Sequence, residues 1–450
     1  MSSVYEPTTL SEDRHWAFAN GDVPVAVYGL GKMGLPLAAV YAESTGNVIG
    51  VDVDASVVER VNRGESPVVG EPGLDELVSD LVKRQSLRAT TDGEAAAADA
   101  NVHVVIVPTL IDDDDNPDLS VVREVAETIA SGLDTGDLVI FESTLPPGAT
   151  ETVLHPLLVS ESDLREGEFG VAFCPERTSS GRALADVRGT HPKIVGGVDP
   201  ESTRAAEVVY RTLVDNEVIP VSDATTAEAV KVFEGLYRDV NIALANELAR
   251  FADELGADVR EAIDAANTQP YCDIHTPGPG VGGHCIPYYP YFVLNWLSGD
   301  APLLGTAREV NDSMPAFVAD RVREGLDAVD VPPAEATVLV LGLTYRAGVK
   351  ETRASPALGV CTALSTAGMD VFAADPLVDT EGFDALDVSI ADAFDLDPDA
   401  VVLVTDHDEF ADLDWTTLDP TVVVDGRDAL DARDLDRLGH HVYTVGRGWR

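Results

Sequence analysis

The chain has 450 residues, 45% of them apolar, enough for two or three domains with cores of their own. Its 79 acidic residues against 30 basic ones give a formal net charge of -49, spread along the whole length. That excludes a broad basic face for nucleic acid and suits a protein kept soluble in concentrated salt, where self-repulsion is screened. No run of about 18 apolar residues occurs, so no membrane span is expected, and the regular apolar runs argue against an acidic disordered chain. The four cysteines, Cys174, Cys272, Cys285 and Cys361, form no C-x-x-C pair and match no zinc spacing, so individual reduced thiols in a cytoplasmic protein are expected, with no metal.

Residues 1–21 are polar, lack a signal-peptide core, and are expected to form a loose tail. From 22 to 220 the pattern is that of a nucleotide-binding domain. An apolar strand, Val23 to Tyr28, leads into Gly29, Gly31 and Gly34 at G-x-G-x-x-G spacing, then a helix, then a second strand ending at Asp52. The first glycine allows a tight turn, the second lets backbone approach a pyrophosphate, and the third lets the helix pack on the strand. The helix N-terminus favours phosphate charge. Asp52 would accept the ribose hydroxyls and repel a 2′-phosphate, favouring NAD over NADP. Four further β-branched runs, "VHVVIVPT", "DLVIFEST", "GVAFCPE" and "KIVGG", predict a mostly parallel sheet. Thr109, Thr144 and Glu176 stand just past the carboxyl ends of three of them, where open α/β sheets hold ligands.

Residues 221–325 are expected to form a central helical domain. The stretch from Thr225 to Gly256 reads as one long helix with a capping box, Thr225 and Glu228. Val230, Phe233, Tyr237, Val240, Leu244, Leu248 and Phe251 recur every three or four residues and predict one buried stripe. Lys231, Gly235 and Arg238 share a neighbouring face. Then "GPGVGGHCIPYYPYF" sets Cys285 directly after a glycine run, as a buried thiol, a metal ligand or a nucleophile. From 326 to 450 the strand pattern restarts with "ATVLVLGLTY", "MDVFAADP", "AVVLVTD", "TVVVDGRD" and "HHVYTVGR", a second α/β domain without the glycine fingerprint. The fold class is therefore α/β, two doubly wound Rossmann-like domains joined by a long central helix.

The stretches "GLGKMGLPLA", "ESTLPPGATE", "FCPER", "RDVNIALANELA", "GPGVGGHCIP", "AREVNDSMP", "GLTYRAGVKETRASPAL" and "VTDHDEF", in this order and spacing, resemble the UDP-glucose/GDP-mannose dehydrogenase family over nearly the whole chain. Its UDP-N-acetyl-D-mannosamine dehydrogenase branch is the most similar. The resemblance implies a cytoplasmic, NAD-dependent, four-electron oxidation of a UDP-sugar C6 alcohol to the uronic acid, in polysaccharide biosynthesis. It also implies a homodimer or higher homo-oligomer built through the central helix. By the same resemblance Cys285 is the nucleophile forming a thiohemiacetal and then a thioester. Lys231 handles the hydroxyl proton or the oxyanion, and Glu176, helped by Thr144, positions the hydrolytic water. Gly29, Gly31, Lys32, Met33, Gly34, Asp52, Thr109, Thr144 and Arg353 would meet NAD. Arg177, Thr178, Lys231, Arg238, Gly282, Tyr345 and Arg346 would meet the UDP-sugar.

Four departures from the family pattern occur. Gly235 stands for the usual Asn, Tyr289 for the usual Asp, Gln269–Pro270–Tyr271 for a His-Pro-Arg, and Arg346 for the usual lysine. They leave open a UDP-glucose or UDP-N-acetylglucosamine substrate, and a non-catalytic nucleotide-sugar binding protein. A two-electron hydroxy-acid dehydrogenase would share the first domain but has no use for Cys285.

Overall fold

The computed structural model describes residues 3–5, 11–179 and 181–450. The chain divides into two compact units, Met1–Glu234 with Tyr291–Leu297, and Gly235–Pro290 with Ser298–Arg450. The stretch 221–325 contributes to both.

The first unit is built on eight strands: β1 Val25–Tyr28, β2 Val48–Val51, β3 Leu87–Thr90, β4 Val102–Val105, β5 Leu138–Phe141, β6 Gly170–Phe173, β7 Lys193–Gly197 and β8 Val218–Pro220. Their order is β8-β7-β6-β5-β4-β1-β2-β3. The six strands from β3 to β6 are parallel in the doubly wound 3-2-1-4-5-6 arrangement, and β7 then pairs antiparallel with β6. Most of these strands are buried along their whole length, which is why they read as continuous apolar runs and not as alternating ones.

The expected loose tail is not loose where it is described. Val4, Tyr5, Ala17 and Phe18 are buried, and helix α1, Ser11–Ala19, lies on helix α2, Pro200–Leu213. Arg14 is buried, pairs with Glu201 of that helix and donates to the Val4 carbonyl at 3.1 Å. A short apolar patch in a polar context is enough to dock once a charge finds a buried partner. Residues 1, 2 and 6–10 of the expected tail lie outside the described residues.

The second unit carries β9 Thr337–Leu341, β10 Asp370–Ala374, β11 Leu386–Asp387, β12 Ala400–Leu403, β13 Val422–Asp425, β14 His441–Thr444 and β15 Gly448–Trp449. Their order, β11-β10-β9-β12-β13-β14-β15, repeats the 3-2-1-4-5-6 pattern with an antiparallel strand added at the edge. Among the described residues no helix is long and apolar enough to cross a membrane.

The long helix α3, Ala224–Ala249, begins in the first unit and ends in the second. Two local expectations fail on it. Asp223, not Thr225, caps its start, accepting from the Thr226 N–H at 2.7 Å. Glu228 turns away from the helix end and accepts from the Thr150 N–H and hydroxyl at 2.8 and 2.6 Å. The predicted buried stripe holds only in part, with Val230 and Leu248 partly buried against core residues. Phe233, Tyr237, Leu244 and Phe251 are 59, 52, 48 and 42% exposed, whereas Asp239, Ala245, Asn246 and Ala249 are buried. The reason is polar pairing within the second unit. Asp239 binds Arg308 and accepts from Asn311 at 2.9 Å, and Asn246 donates to Asn311 at 2.9 Å. A close-packed face of small and hydrogen-bonded residues takes the interior, and the large apolar side chains are left outside.

Candidate active site

In the first unit the nucleotide turn follows β1. Gly29 has φ +97°, and its N–H donates to Val51 at 2.8 Å. A Cβ at Gly34 would overlap the Gly29 carbonyl oxygen, whereas nothing lies within 4 Å of one placed at Gly31. The turn is therefore tight where the helix meets the strand and open where a ligand approaches. No side chain caps the helix Gly34–Thr45, and its positive end at the open glycine turn is an anion cradle. Lys32 is exposed beside it. Asp52, at the end of β2, accepts from the Leu30 N–H at 2.8 Å and the Asp54 N–H at 2.9 Å. The cradle and the acid together fit the pyrophosphate and ribose of NAD.

The loops after β4, β5 and β6 converge. The Thr109 hydroxyl donates to the Thr144 carbonyl at 2.6 Å. Lys231, only 8% exposed, donates to the Glu176 carbonyl and lies 3.3 Å from its carboxylate. Two residues singled out from distant parts of the sequence thus form one buried pair. Burial pushes the Glu176 carboxyl up, but Lys231 and the Thr178 hydrogen bonds outweigh it and hold the group below its usual range. Glu176 is therefore a carboxylate at neutral pH, able to orient a water by accepting a hydrogen bond from it. Arg177 donates to the Pro192 carbonyl at 3.0 Å and pairs with Glu234, and the Thr178 hydroxyl reaches the Met33 sulfur at 3.0 Å.

Three residues that the sequence reading did not single out support this corner. Glu142 is buried, pairs with Lys193 at 2.6 Å and accepts from the Tyr210 hydroxyl. Lys193 also donates to the Pro175 carbonyl at 3.2 Å, directly before Glu176. A cavity of about 30 Å³, room for roughly one water, is lined by Met33, Glu142, Glu176, Thr178, Lys193 and Tyr210. One signal was available. The chain has five lysines, and Lys193 and Lys231 are the two that turn inward.

In the second unit Cys285 is exposed, at the head of a turn held on three sides. The Gly278 N–H donates to Asn246 of α3 at 2.9 Å, and the Gly283 N–H donates to the Arg353 carbonyl at 2.9 Å. A Cβ at Gly282 would lie 2.7 Å from the Ala354 carbonyl and 2.8 Å from the Tyr345 Cβ, so the glycine run is pressed against the loop after β9. Arg353 stacks 5.1 Å over the Tyr288 ring. His284 pairs with Glu351. Arg346 is exposed on the same loop, and Arg238 and Tyr271 are exposed on their own segments.

The loop after β9 lacks the fingerprint yet keeps its hydrogen bonds. Gly342 donates to Ala374 at 2.9 Å, and Leu343 donates to Asp375 at 2.7 Å, as Gly29 and Leu30 do to Val51 and Asp52. Asp375 is further held by the Thr344 N–H at 3.0 Å and by His407 at 3.1 Å. Burial alone would raise this carboxyl, but those hydrogen bonds take it from 3.8 to about 2. A depressed carboxyl contributes stability that is present above its unfolded pKa and is lost as pH falls through its folded one. Asp375→Asn is expected to cost about 2 kcal/mol at neutral pH. The deficit should close between about 4 and about 2, the interval of the shift. Melting temperatures of both proteins in molar KCl across that range check it.

Three models of the UDP-glucose/GDP-mannose dehydrogenase family match in order: the NAD binding domain over residues 23–214, the central domain over 225–313 and the UDP binding domain over 339–432. The UDP-N-acetyl-D-mannosamine dehydrogenase of Pyrococcus horikoshii is 39% identical over 94% of this chain and 99% of its own. The NDP-N-acetyl-D-galactosaminuronic acid dehydrogenase of Ralstonia nicotianae is 38% identical over 91% of this chain and 97% of its own. A solved structure of the UDP-D-ManNAc dehydrogenase from Pyrococcus horikoshii matches with a TM-score of 0.87 at 38% identity, covering 94% of this chain and 99% of that one.

Proposed function

The chain belongs to the UDP-glucose/GDP-mannose dehydrogenase family of NAD-dependent oxidoreductases. On that premise we propose that it oxidises the C6 alcohol of UDP-N-acetyl-D-mannosamine to the uronate. The observation that carries this is the exposed Cys285 on a glycine-bounded turn, in a chain that also keeps Lys231 buried against Glu176. NAD, when bound, supplies the hydride acceptor for both oxidations.

In the first oxidation C6 loses a hydride and its hydroxyl loses a proton to water, while the Lys231 ammonium stabilises the developing oxyanion. The Cys285 thiolate adds to the resulting aldehyde, forming a C–S bond and a thiohemiacetal. Loss of a second hydride from that adduct leaves a thioester. Water oriented by the Glu176 carboxylate then attacks the thioester carbon, the C–S bond breaks as the thiolate leaves, and the carboxylate product forms as the water's two protons pass to solvent. Arg177, Arg238 and Arg346 are assigned to the anionic UDP-sugar, where planar guanidinium groups suit a diphosphate. Arg353 is assigned to NAD.

The sugar assignment is supported by the names of the similar proteins, of which one is a UDP-N-acetyl-D-mannosamine dehydrogenase and another an NDP-N-acetyl-D-galactosaminuronic acid dehydrogenase. The exposed apolar side chains of α3, Phe233, Tyr237 and Leu244, support a homodimer through this helix, since such a face is rarely left to water. The test is the NADH yield on limiting UDP-N-acetyl-D-mannosamine in molar KCl, with UDP-glucose, UDP-N-acetylglucosamine and UDP-N-acetylgalactosamine alongside. Two NADH per sugar is the expected result. One would indicate a product short of the acid. None with any sugar, while binding persists, would make this a binding protein.

A further inference from the structure

Two of the departures from the family pattern, Gly235 and Tyr289, lie far apart in sequence but touch in the second unit. A Cβ placed on Gly235 would overlap the Cδ2 of Tyr289 and lie 2.8 Å from both its Cε2 and its Cγ. Tyr289 is 7% exposed. Its ring therefore lies on bare helix backbone, in a notch that exists only because position 235 has no side chain. A residue with a Cβ at 235 and this ring at 289 exclude each other, so the two departures are one matched change.

The ring is coupled to the thiol through a single turn. The Cys285 carbonyl accepts from the N–H groups of both Tyr288 and Tyr289 at 3.0 Å. Pro287 inside the turn and Pro290 after it restrict the backbone further. Tyr288 is itself held under Arg353. Displacing the Tyr289 ring therefore strains the Cys285 turn, because the hydrogen-bonded backbone between them is short and restricted by proline.

We propose that the Gly235 notch and the Tyr289 ring form a knob-and-hole lock that positions the Cys285 turn on the central helix, with Tyr289 acting as a positioning residue through packing of its ring. This rests on Cys285 being the nucleophile. On this reading the two departures are a compensated pair and not the mark of lost turnover. The ring takes over by shape the role of fastening the turn.

The test is a set of four variants: Gly235→Ala, Tyr289→Ala, the double variant, and Tyr289→Phe. Each is measured for kcat and KM with UDP-N-acetyl-D-mannosamine and NAD, and for the rate at which iodoacetamide alkylates Cys285, read on the isolated peptide. Gly235→Ala is expected to lower kcat about 10²-fold, the cost of roughly 1 Å of misplacement at a reacting atom. KM should change far less, and the alkylation rate should shift in parallel with kcat. Tyr289→Ala should also lower kcat. The double variant should be no worse than Tyr289→Ala alone, because the added Cβ then has room. Tyr289→Phe should recover most of what Tyr289→Ala loses. Should Gly235→Ala fail to fold, a folded double variant reads the same coupling. Losses that multiply in the double variant, a double variant that also fails to fold, or a Tyr289→Phe as poor as Tyr289→Ala would each overturn the lock. The alkylation rates do not depend on turnover. If Cys285 proves not to be the nucleophile, a coupled shift in those rates still identifies the packing, and only the catalytic reading is lost.

Discussion

Cys285→Ala is expected to retain UDP-sugar and NAD binding while losing steady-state oxidation by at least about 10³-fold, the scale on which removing a covalent nucleophile acts. The physical argument is that an aldehyde at C6 has no good route to a second hydride transfer until a nucleophile adds to it. A thiolate does this well, being intrinsically nucleophilic even when only partly ionised. The thiol here is exposed, while Cys174 and Cys361 are buried, with burial pushing the Cys361 thiol up to about 12 and that of Cys174 further still. Neither can substitute. In a single-turnover experiment with enzyme in excess, the variant should release no more than one NADH per sugar. Full yield of two NADH from Cys285→Ala would exclude the thioester route.

The largest expected effect on stability is at Arg308. Arg308→Ala should cost about 3–5 kcal/mol, the range for breaking a buried ion pair from one side. For a unit of this size that is a fall of about 10 °C in melting temperature. Arg308 and Asp239 are both buried and bonded to each other, and Asn311 joins them. Burial already raises the Asp239 carboxyl, with Arg308 pulling the other way. Without the guanidinium the carboxylate stands buried and uncompensated, and its pKa rises further. A carboxyl raised above its unfolded value contributes stability below that value and loses it as pH rises. The deficit of Arg308→Ala should therefore shrink as pH is lowered from neutral. A double variant, Asp239→Leu with Arg308→Met, should lose less than Arg308→Ala, since replacing both charges by apolar groups leaves no buried charge uncompensated. Thermal melting in molar KCl at two pH values measures both effects. A deficit unchanged by acid would show that Asp239 is not the group left stranded.

The elements that were legible in the sequence are those whose signal is local. The turn at Gly29 to Gly34 followed by Asp52 is a strand, a tight turn and a helix within one stretch, and Gly29 and Gly34 answer contacts that any Cβ would violate, while Gly31 keeps the turn open. The strands of both sheets were legible for a similar reason, because parallel strands buried on both faces leave continuous β-branched runs. Periodicity on the central helix was also read correctly as periodicity. What it did not contain was which face points inward. Phe233 and Tyr237 share a stripe, but Asp239 and Asn246 won the interior because Arg308 and Asn311, 65 to 72 residues on, satisfy them. The helix Ser11–Ala19 was missed for the same reason, since the partner of Arg14 is Glu201.

By itself, then, the sequence determined the fold class, the nucleotide turn, and the identities of Cys285, Lys231 and Glu176 as the residues to examine, because these rest on spacing along a continuous chain. Only the tertiary structure decided that Lys231 is buried against Glu176, and that Glu142, Lys193 and Tyr210 brace that corner. It also decided that Gly235 and Tyr289 are a single matched change. Each of those facts is a contact between residues remote in sequence, and whether a charge is paired or a notch is filled depends on what the fold brings within a few ångströms of it.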